Sequence, residues 1–326
     1  MIKNAILDYK ATGGYLNIGD YVQSIAAKQY FSNIDLLLNR EYLNDKNIEE
    51  CKLIMNGWFM YKTKNWPISS NINPLFVSFH LNAHIADKLL SNKKNIDYLK
   101  KYEPIGCRDF YTVNILKKYD VESYYSSCLT TTLPKINITK TDNIVFFDVL
   151  FNLDKKAYYE RIPRHYYRDL IKFKLPKLGN HTEYLRSIFP TEIVNNAKFE
   201  TAFFKEKGTT VDDRFNEAER LLKSFASAKL VITSRIHCAL PCLAMGTPVI
   251  FVMGGLNNSS DLSRLDGIVQ HFNMVNLDPN LDLSSLKNIN LIKLEDIDWE
   301  NPLPNPTNHL KYTQYLIDSC NDFIKS

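Results

Sequence analysis

The sequence contains no apolar run approaching the ~18 residues that a membrane-spanning helix needs. Its first residues, Met1–Lys10, form a short β-like run and lack the apolar core of a signal peptide. A cysteine framework is missing too. Cys51, Cys107, Cys128, Cys238, Cys242 and Cys320 include no C-x-x-C pair, so buried free thiols in a reducing compartment are expected, and with them a cytoplasmic protein. Neither sign of charge dominates, because 40 Lys and Arg against 36 Asp and Glu leave a net charge of +4. The basic residues are scattered and match no RNA-binding or helix-turn-helix signature, which excludes nucleic acid as the expected partner. The small basic excess leans toward anionic sugars or lipids and leaves peripheral membrane association open. Repeats and low-complexity segments are absent. Gly13-Gly14 lacks the G-x-G-x-x-G spacing, so no dinucleotide fingerprint is present.

What is there is an ordinary globular composition, 45% apolar and 23% charged, over 326 residues that can hold two domains. Strand-like and helix-like stretches alternate, which argues for parallel α/β layers. Strands are expected at Ala5–Asp8, Lys52–Met55, Leu75–Phe79, Ser123–Leu133, Asn143–Leu150 and Thr201–Lys205, and helices at Val22–Tyr30, Tyr111–Lys118, Asp212–Ala226 and Arg264–His271. The polar, aperiodic stretch Pro134–Asp142 suggests a boundary. The expected division is residues 1–137, 138–300, and a last helix in 301–326 that follows Pro302, Pro304 and Pro306 and crosses back onto the first domain.

The most informative stretch is residues 229–252. A β-branched run, Leu230–Ile232, stops at Thr233-Ser234, and a helix opens with Arg235 and His237. Gly246 closes that helix and a second buried strand follows at Val249–Val252. Pro241 is tolerable if it lies close to the helix start. Such a unit sets the helix N-terminus at the carboxyl edge of the sheet, where open α/β folds bind ligands and free N–H groups attract anions. An arginine and a histidine there suit an anion beside a group that moves a proton, although a salt-bridged arginine and a core histidine would read alike.

Other edges carry weaker signals. Arg108-Asp109 ends a short strand and offers either a second guanidinium for the same anion or a plain ion pair. In Asn17-Ile18-Gly19-Asp20 the glycine permits a tight turn, and Asp20 is either a helix cap or a base. The loop Met253–Asp261 could fold over a phosphate, with Arg264 at the next helix start. His80 and His84 are spaced i, i+4 and Asp87 continues that face, but no motif supports a metal site and a structural role is favoured. Trp58 and Trp66 suit either core packing or stacking on a sugar.

Taken in order, these segments resemble the polysaccharide pyruvyl transferase family. Ser234-Arg235-Ile236-His237 followed by Gly246-Thr247-Pro248-Val249-Ile250 is similar to its Ser-Arg-Leu-His and Gly-x-Pro-Val-Ile pattern. Asn17-x-Gly19-Asp20, Gly106-Cys107-Arg108-Asp109 and Ser127-Cys128-Leu129-Thr130 resemble its earlier motifs, so the likeness runs from Gly13 to Phe272. The resemblance implies two Rossmann-like domains facing a cleft, as in GT-B glycosyltransferases. It implies phosphoenolpyruvate as donor and a sugar or a lipid- or nucleotide-linked saccharide as acceptor of a ketal, and since two guanidiniums could neutralise that donor, no metal or cofactor is expected. The donor-binding arginines would fall on Arg108 and Arg235 and the histidine on His237, which is expected to act as an acid titrating near working pH. Asn17 and Arg264 are further expected contacts and Asp20 the expected base. Because the fold is shared, a nucleotide-sugar glycosyltransferase is the alternative, and a silent sugar-binding subunit a third reading. The acceptor sugar and the oligomeric state are not written in the sequence.

Overall fold

The computed structural model describes residues 2–326 apart from 12–13, 175, 177, 256–261, 279–280, 282, 285 and 287. The first half runs β1 (Lys3–Asp8), β2 (Tyr15–Asn17), α1 (Ile18–Lys28), β3 (Leu36–Asn39), β4 (Cys51–Ile54), β5 (Gly57–Phe59), β6 (Ile72–Leu75), β7 (Phe79–Leu81), α2 (Ala86–Leu90), α3 (Lys93–Lys100), β8 (Ile105–Cys107), α4 (Phe110–Lys118) and β9 (Ser123–Tyr125). Residues 134–142 form no regular element. The second half runs β10 (Ile144–Phe147), α5 (Lys155–Arg161), α6 (Pro163–Ile171), α7 (His181–Arg186), α8 (Thr191–Asn196), β11 (Lys198–Glu200), β12 (Phe203–Lys205), α9 (Val211–Ser227), β13 (Leu230–Thr233), α10 (Ile236–Met245), β14 (Val249–Met253), β15 (Asn273–Asn276) and β16 (Asn290–Leu291), before a C-terminal helix at Leu310–Lys325.

The first half builds two parallel four-stranded sheets, ordered β3-β1-β4-β6 and β5-β7-β8-β9. The second builds one six-stranded parallel sheet, β11-β10-β13-β14-β15-β16. Its central strands read as unbroken apolar runs because both faces are covered, and every residue of β13 and β14 is buried. Strand order reverses between β10 and β13, so the crevice beyond their carboxyl ends is a switch point of the kind that binds ligands. Strand β12 pairs antiparallel with β2 and ties the two halves together beside that crevice. The C-terminal helix returns to the first half. Lys52 Nζ donates to the carbonyls of Phe323 and Ile324, both at 3.0 Å, and so satisfies orphan acceptors at the helix end. No described helix is long and apolar enough to cross a membrane, and all six cysteines are free and buried.

Several expected elements take another form. The strand expected at Leu75–Phe79 is two strands, β6 and β7, separated by a turn in which Ser78 has φ +54°. Ser123–Leu133 stops as a strand at Tyr125, turns at Ser127 (φ +63°) and ends as the 3-10 turn Leu129–Thr132. Arg264–His271 is not a helix. It is a set of turns closed by a short 3-10 segment, Val269–His271. Pro241 lies beyond the first turn of α10, where it removes the N–H that the His237 carbonyl would otherwise accept from. Packing on all sides holds the helix there, since Cys238 to Leu243 are all buried.

Candidate functional site

A cleft of about 500 Å³ opens between the carboxyl ends of the two halves. The residues expected to bind or act on substrate, Asn17, Asp20, Arg108, Arg235, His237 and Arg264, all line its walls. Lys10, Arg40 and Arg161 join them, so among the described lining residues six basic side chains face one carboxylate, Asp20. Such a surplus in a partly dehydrated cleft concentrates anions.

Strand β13 delivers Arg235 to the N-cap of α10 and His237 to its first turn. Arg235 Nε donates to Asp148 Oδ2 at 2.9 Å across the switch point. Its guanidinium stacks 3.4 Å from the Phe151 ring centroid and 4.6 Å from that of Phe203, and Arg161 covers Phe203 at 3.7 Å. This column of alternating rings and guanidiniums fixes two cations side by side. Arg235 Nη2 and Arg108 Nε are buried without a hydrogen-bond partner among the described residues.

Arg108 follows β8 and is 1% exposed. Its Nη1 donates to His237 Nε2 at 3.3 Å and to Gln23 Oε1 at 3.5 Å. A guanidinium has only donors, so His237 Nε2 is the acceptor and the neutral ring carries its proton on Nδ1. Beneath it lies a buried ionic group. His80 Nδ1 donates to Asp109 Oδ2 at 2.6 Å, and Asp109 Oδ1 accepts from Thr112 N and Oγ1 at 2.9 and 2.7 Å, capping α4. Burial alone would raise the Asp109 pKa, but His80, Arg108 and Thr112 outweigh it and hold the group below the ordinary carboxylate value. Arg108 is thus both a member of an ion pair (Nε to Asp109 Oδ2, 3.7 Å) and part of the cleft wall.

The opposite wall comes from the first half. Asp20 Oδ1 accepts from Gln23 Nε2 at 3.1 Å, and its Oδ2 lies 3.7 Å from Arg40. Arg40 is sandwiched 4.9 Å from the rings of both Tyr9 and Trp58, and Trp58 packs on Tyr61. Gln23 therefore orients Asp20 and Arg108 together. Gly57 leaves it room, since a Cβ there would stand 2.6 Å from Gln23 Oε1.

Four expectations need correction. His237 does not titrate near neutral pH. Burial, then Arg108, Arg264 and Arg235, hold its pKa well below the usual histidine value. Gly19 serves space rather than a turn, because a Cβ at that position would lie 3.1 Å from His237 Cβ. Asn17 Oδ1 is committed to the Gly19 N–H at 3.1 Å, which leaves only its amide NH2 for a ligand. His80, His84 and Asp87 share no helical face: His80 is on β7, His84 is on the cleft wall, and Asp87 pairs with Lys118 at the surface. Trp66 is core, packed on Phe76, Phe79 and Tyr98, whereas Trp58 lines the cleft. The loop expected to cover a phosphate, Met253–Asp261, falls outside the described residues from 256 on.

Two results check this geometry. In NMR titration, His237 should show a pKa well below ~6.5 in the protein alone and a higher one with inorganic phosphate bound. A value near 6.5 in both would show that the arginines do not act on it. Gly19→Ala should change the melting temperature little, because the ~1 kcal/mol that alanine gains over glycine in a helix is offset by the push of its Cβ on Asn17 Oδ1 and His237 Cβ, both 3.1 Å away. Turnover should nonetheless fall roughly tenfold as His237 is displaced, and unchanged turnover would remove the close approach from the account.

The architecture and cleft define an α/β protein with a basic cleft lined from both halves of the chain. The family model for polysaccharide pyruvyl transferase matches residues 17–254, beginning at Asn17 and ending just past β14, and the chain belongs to that family. No curated protein matches it significantly.

Proposed function

We propose that this transferase moves the pyruvyl moiety of phosphoenolpyruvate onto two hydroxyls of a sugar as a ketal, in the synthesis of a capsular or other surface polysaccharide. The observation that carries this reading is the cleft itself, where Arg108, Arg161, Arg235 and Arg264 surround a neutral histidine. A donor bearing both a carboxylate and a phosphate fits that charge. In this reading the chain divides at 134–142 into two Rossmann-like domains arranged as in GT-B enzymes, the second holding the donor and the first the acceptor. The bound donor needs no metal, because guanidiniums neutralise it.

The chemistry then runs in two additions. A proton added to the methylene carbon makes the adjacent carbon oxocarbenium-like, and one sugar hydroxyl attacks it. The carbon–oxygen bond to phosphate breaks, and the second hydroxyl closes the ketal. Two hydroxyl protons leave, one balancing the proton on the new methyl group and the other leaving with phosphate. A bound dianion would raise the His237 pKa by opposing the three arginines, which charges the ring to donate that first proton. Asp20, held by Arg40 and Gln23, receives a proton from the acceptor, with Trp58 and Tyr61 beside it as the stacking wall for a sugar.

Thermal shift separates this from nucleotide-sugar transfer, since a ligand that binds only the folded state stabilises it. Phosphoenolpyruvate should raise the melting temperature and UDP- or GDP-sugars should not. The reverse pattern would make the protein a glycosyltransferase.

A further inference from the structure

Helix α6 has its polarity inside out. It begins directly after Arg161 and Ile162, which line the cleft, and none of its residues is buried. The polar His165 and Asp169 turn toward the protein. His165 hydrogen-bonds Tyr158 Oη, and Asp169 Oδ2 accepts from Tyr159 Oη at 3.1 Å. The outer side carries Pro163, Tyr167, Leu170 and Ile171, whose i, i+4, i+7, i+8 spacing makes one stripe. Phe173 extends it past the helix end. Tyr167 is 62% exposed, Ile171 76% and Phe173 97%. Water-facing helices of globular proteins place these residues on the other side, and a contiguous exposed apolar stripe marks an interaction surface.

The charges around the stripe say what covers it. Arg164, Arg168, Lys172 and Lys174 are all exposed, and the one carboxylate between 163 and 174, Asp169, is turned inward and already paired with Arg168. A second copy meeting this face across a two-fold axis would set Arg164, Lys172 and Lys174 against the same three cations. An apolar ridge rimmed by lysine and arginine instead has the make-up of elements that lie in the interface of an anionic bilayer.

We propose that α6 and the turn at 172–174 dock the protein on an anionic lipid surface. Ile171 and Phe173 enter the boundary between headgroups and acyl chains, and Arg164, Lys172 and Lys174 lie on the headgroups. The wall at Arg161 and Ile162 then sits next to the membrane, whichever donor the cleft uses.

Vesicle flotation of the full chain tests this. Binding is expected to phosphatidylcholine vesicles containing phosphatidylglycerol and not to phosphatidylcholine alone, with loss at high salt. The double variant Ile171→Glu/Phe173→Glu should keep its melting temperature and lose binding by about tenfold or more, two exposed apolar anchors having become like charges to the lipid. Lys172→Gln/Lys174→Gln should weaken it by about tenfold or more. No flotation with anionic vesicles at low salt would overturn the proposal. So would undiminished binding of the double variant, or a dimer in sedimentation velocity that the double variant dissolves.

Discussion

Arg235→Ala is expected to lower turnover by about a hundred- to a thousandfold, the loss found when a preorganised group that stabilises developing charge is removed. The side chain has two jobs that alanine cannot share: it holds a cation between Phe151 and Phe203, and it neutralises Asp148 at the switch point. Arg235→Lys retains the charge but neither the fork nor the ring stacking, so it should recover only a small part of the activity. Donor binding measured by calorimetry should weaken in both variants. Arg235→Ala turning over at the wild-type rate would mean that the anion is held elsewhere.

Asp109→Ala is expected to be the most destabilising single change near the site. It removes a carboxylate that is 0% exposed and accepts from His80 and twice from Thr112, and it strands the Arg108 charge in a buried place. Breaking a buried ion pair from one side costs about 3–5 kcal/mol, with a helix cap worth ~1 kcal/mol lost as well. The melting temperature should drop by roughly 5–10 °C, and activity with it, as Arg108 loses its seat. Asp109→Asn keeps the cap and one hydrogen bond, so it separates the charge from the shape: it should fold better than alanine yet leave Arg108 unbalanced. A variant with an unchanged melting temperature would mean that the pair contributes nothing to holding Arg108.

The pH dependence of stability follows from the histidines. Burial lowers the pKa of His80, His237 and His309, and that of His271 to about 3. A folded-state value below the unfolded one means that the unfolded chain binds more protons on acidification. Stability is therefore full above ~6.5 and falls as pH drops from there toward 3.

Which parts of this site can be read from the sequence is a matter of edges. Arg108, Arg235 and His237 are legible because each follows a short apolar run that ends in small residues, the mark of a strand's carboxyl end. Apolar runs without that small-residue ending stand before Arg40, at Leu36–Asn39, and before Asp148, at Ile144–Phe147, and both residues prove to meet site side chains. Arg161 carries no such mark. It enters the cleft only because α5 packs against Phe203 on a strand that pairs with β2, far away in sequence. The His80–Asp109 pair is equally hidden, since it arises from the pairing of β7 with β8. Gly19 looks like a turn glycine in sequence, and only the position of His237 shows that the space matters. Strand breaks at Ser78 and Ser127 escape a reading by apolar pattern because non-glycine residues with positive φ leave no compositional trace.

The central claim is donor use, and one measurement addresses it directly. The purified protein is incubated with phosphoenolpyruvate and a panel of lipid- and nucleotide-linked sugars, and phosphate release is followed alongside the mass of the acceptor. One phosphate is expected for each pyruvyl ketal gained, with both signals lost in Arg235→Ala. Glycosyl transfer from a nucleotide sugar, with phosphoenolpyruvate left intact, would contradict it.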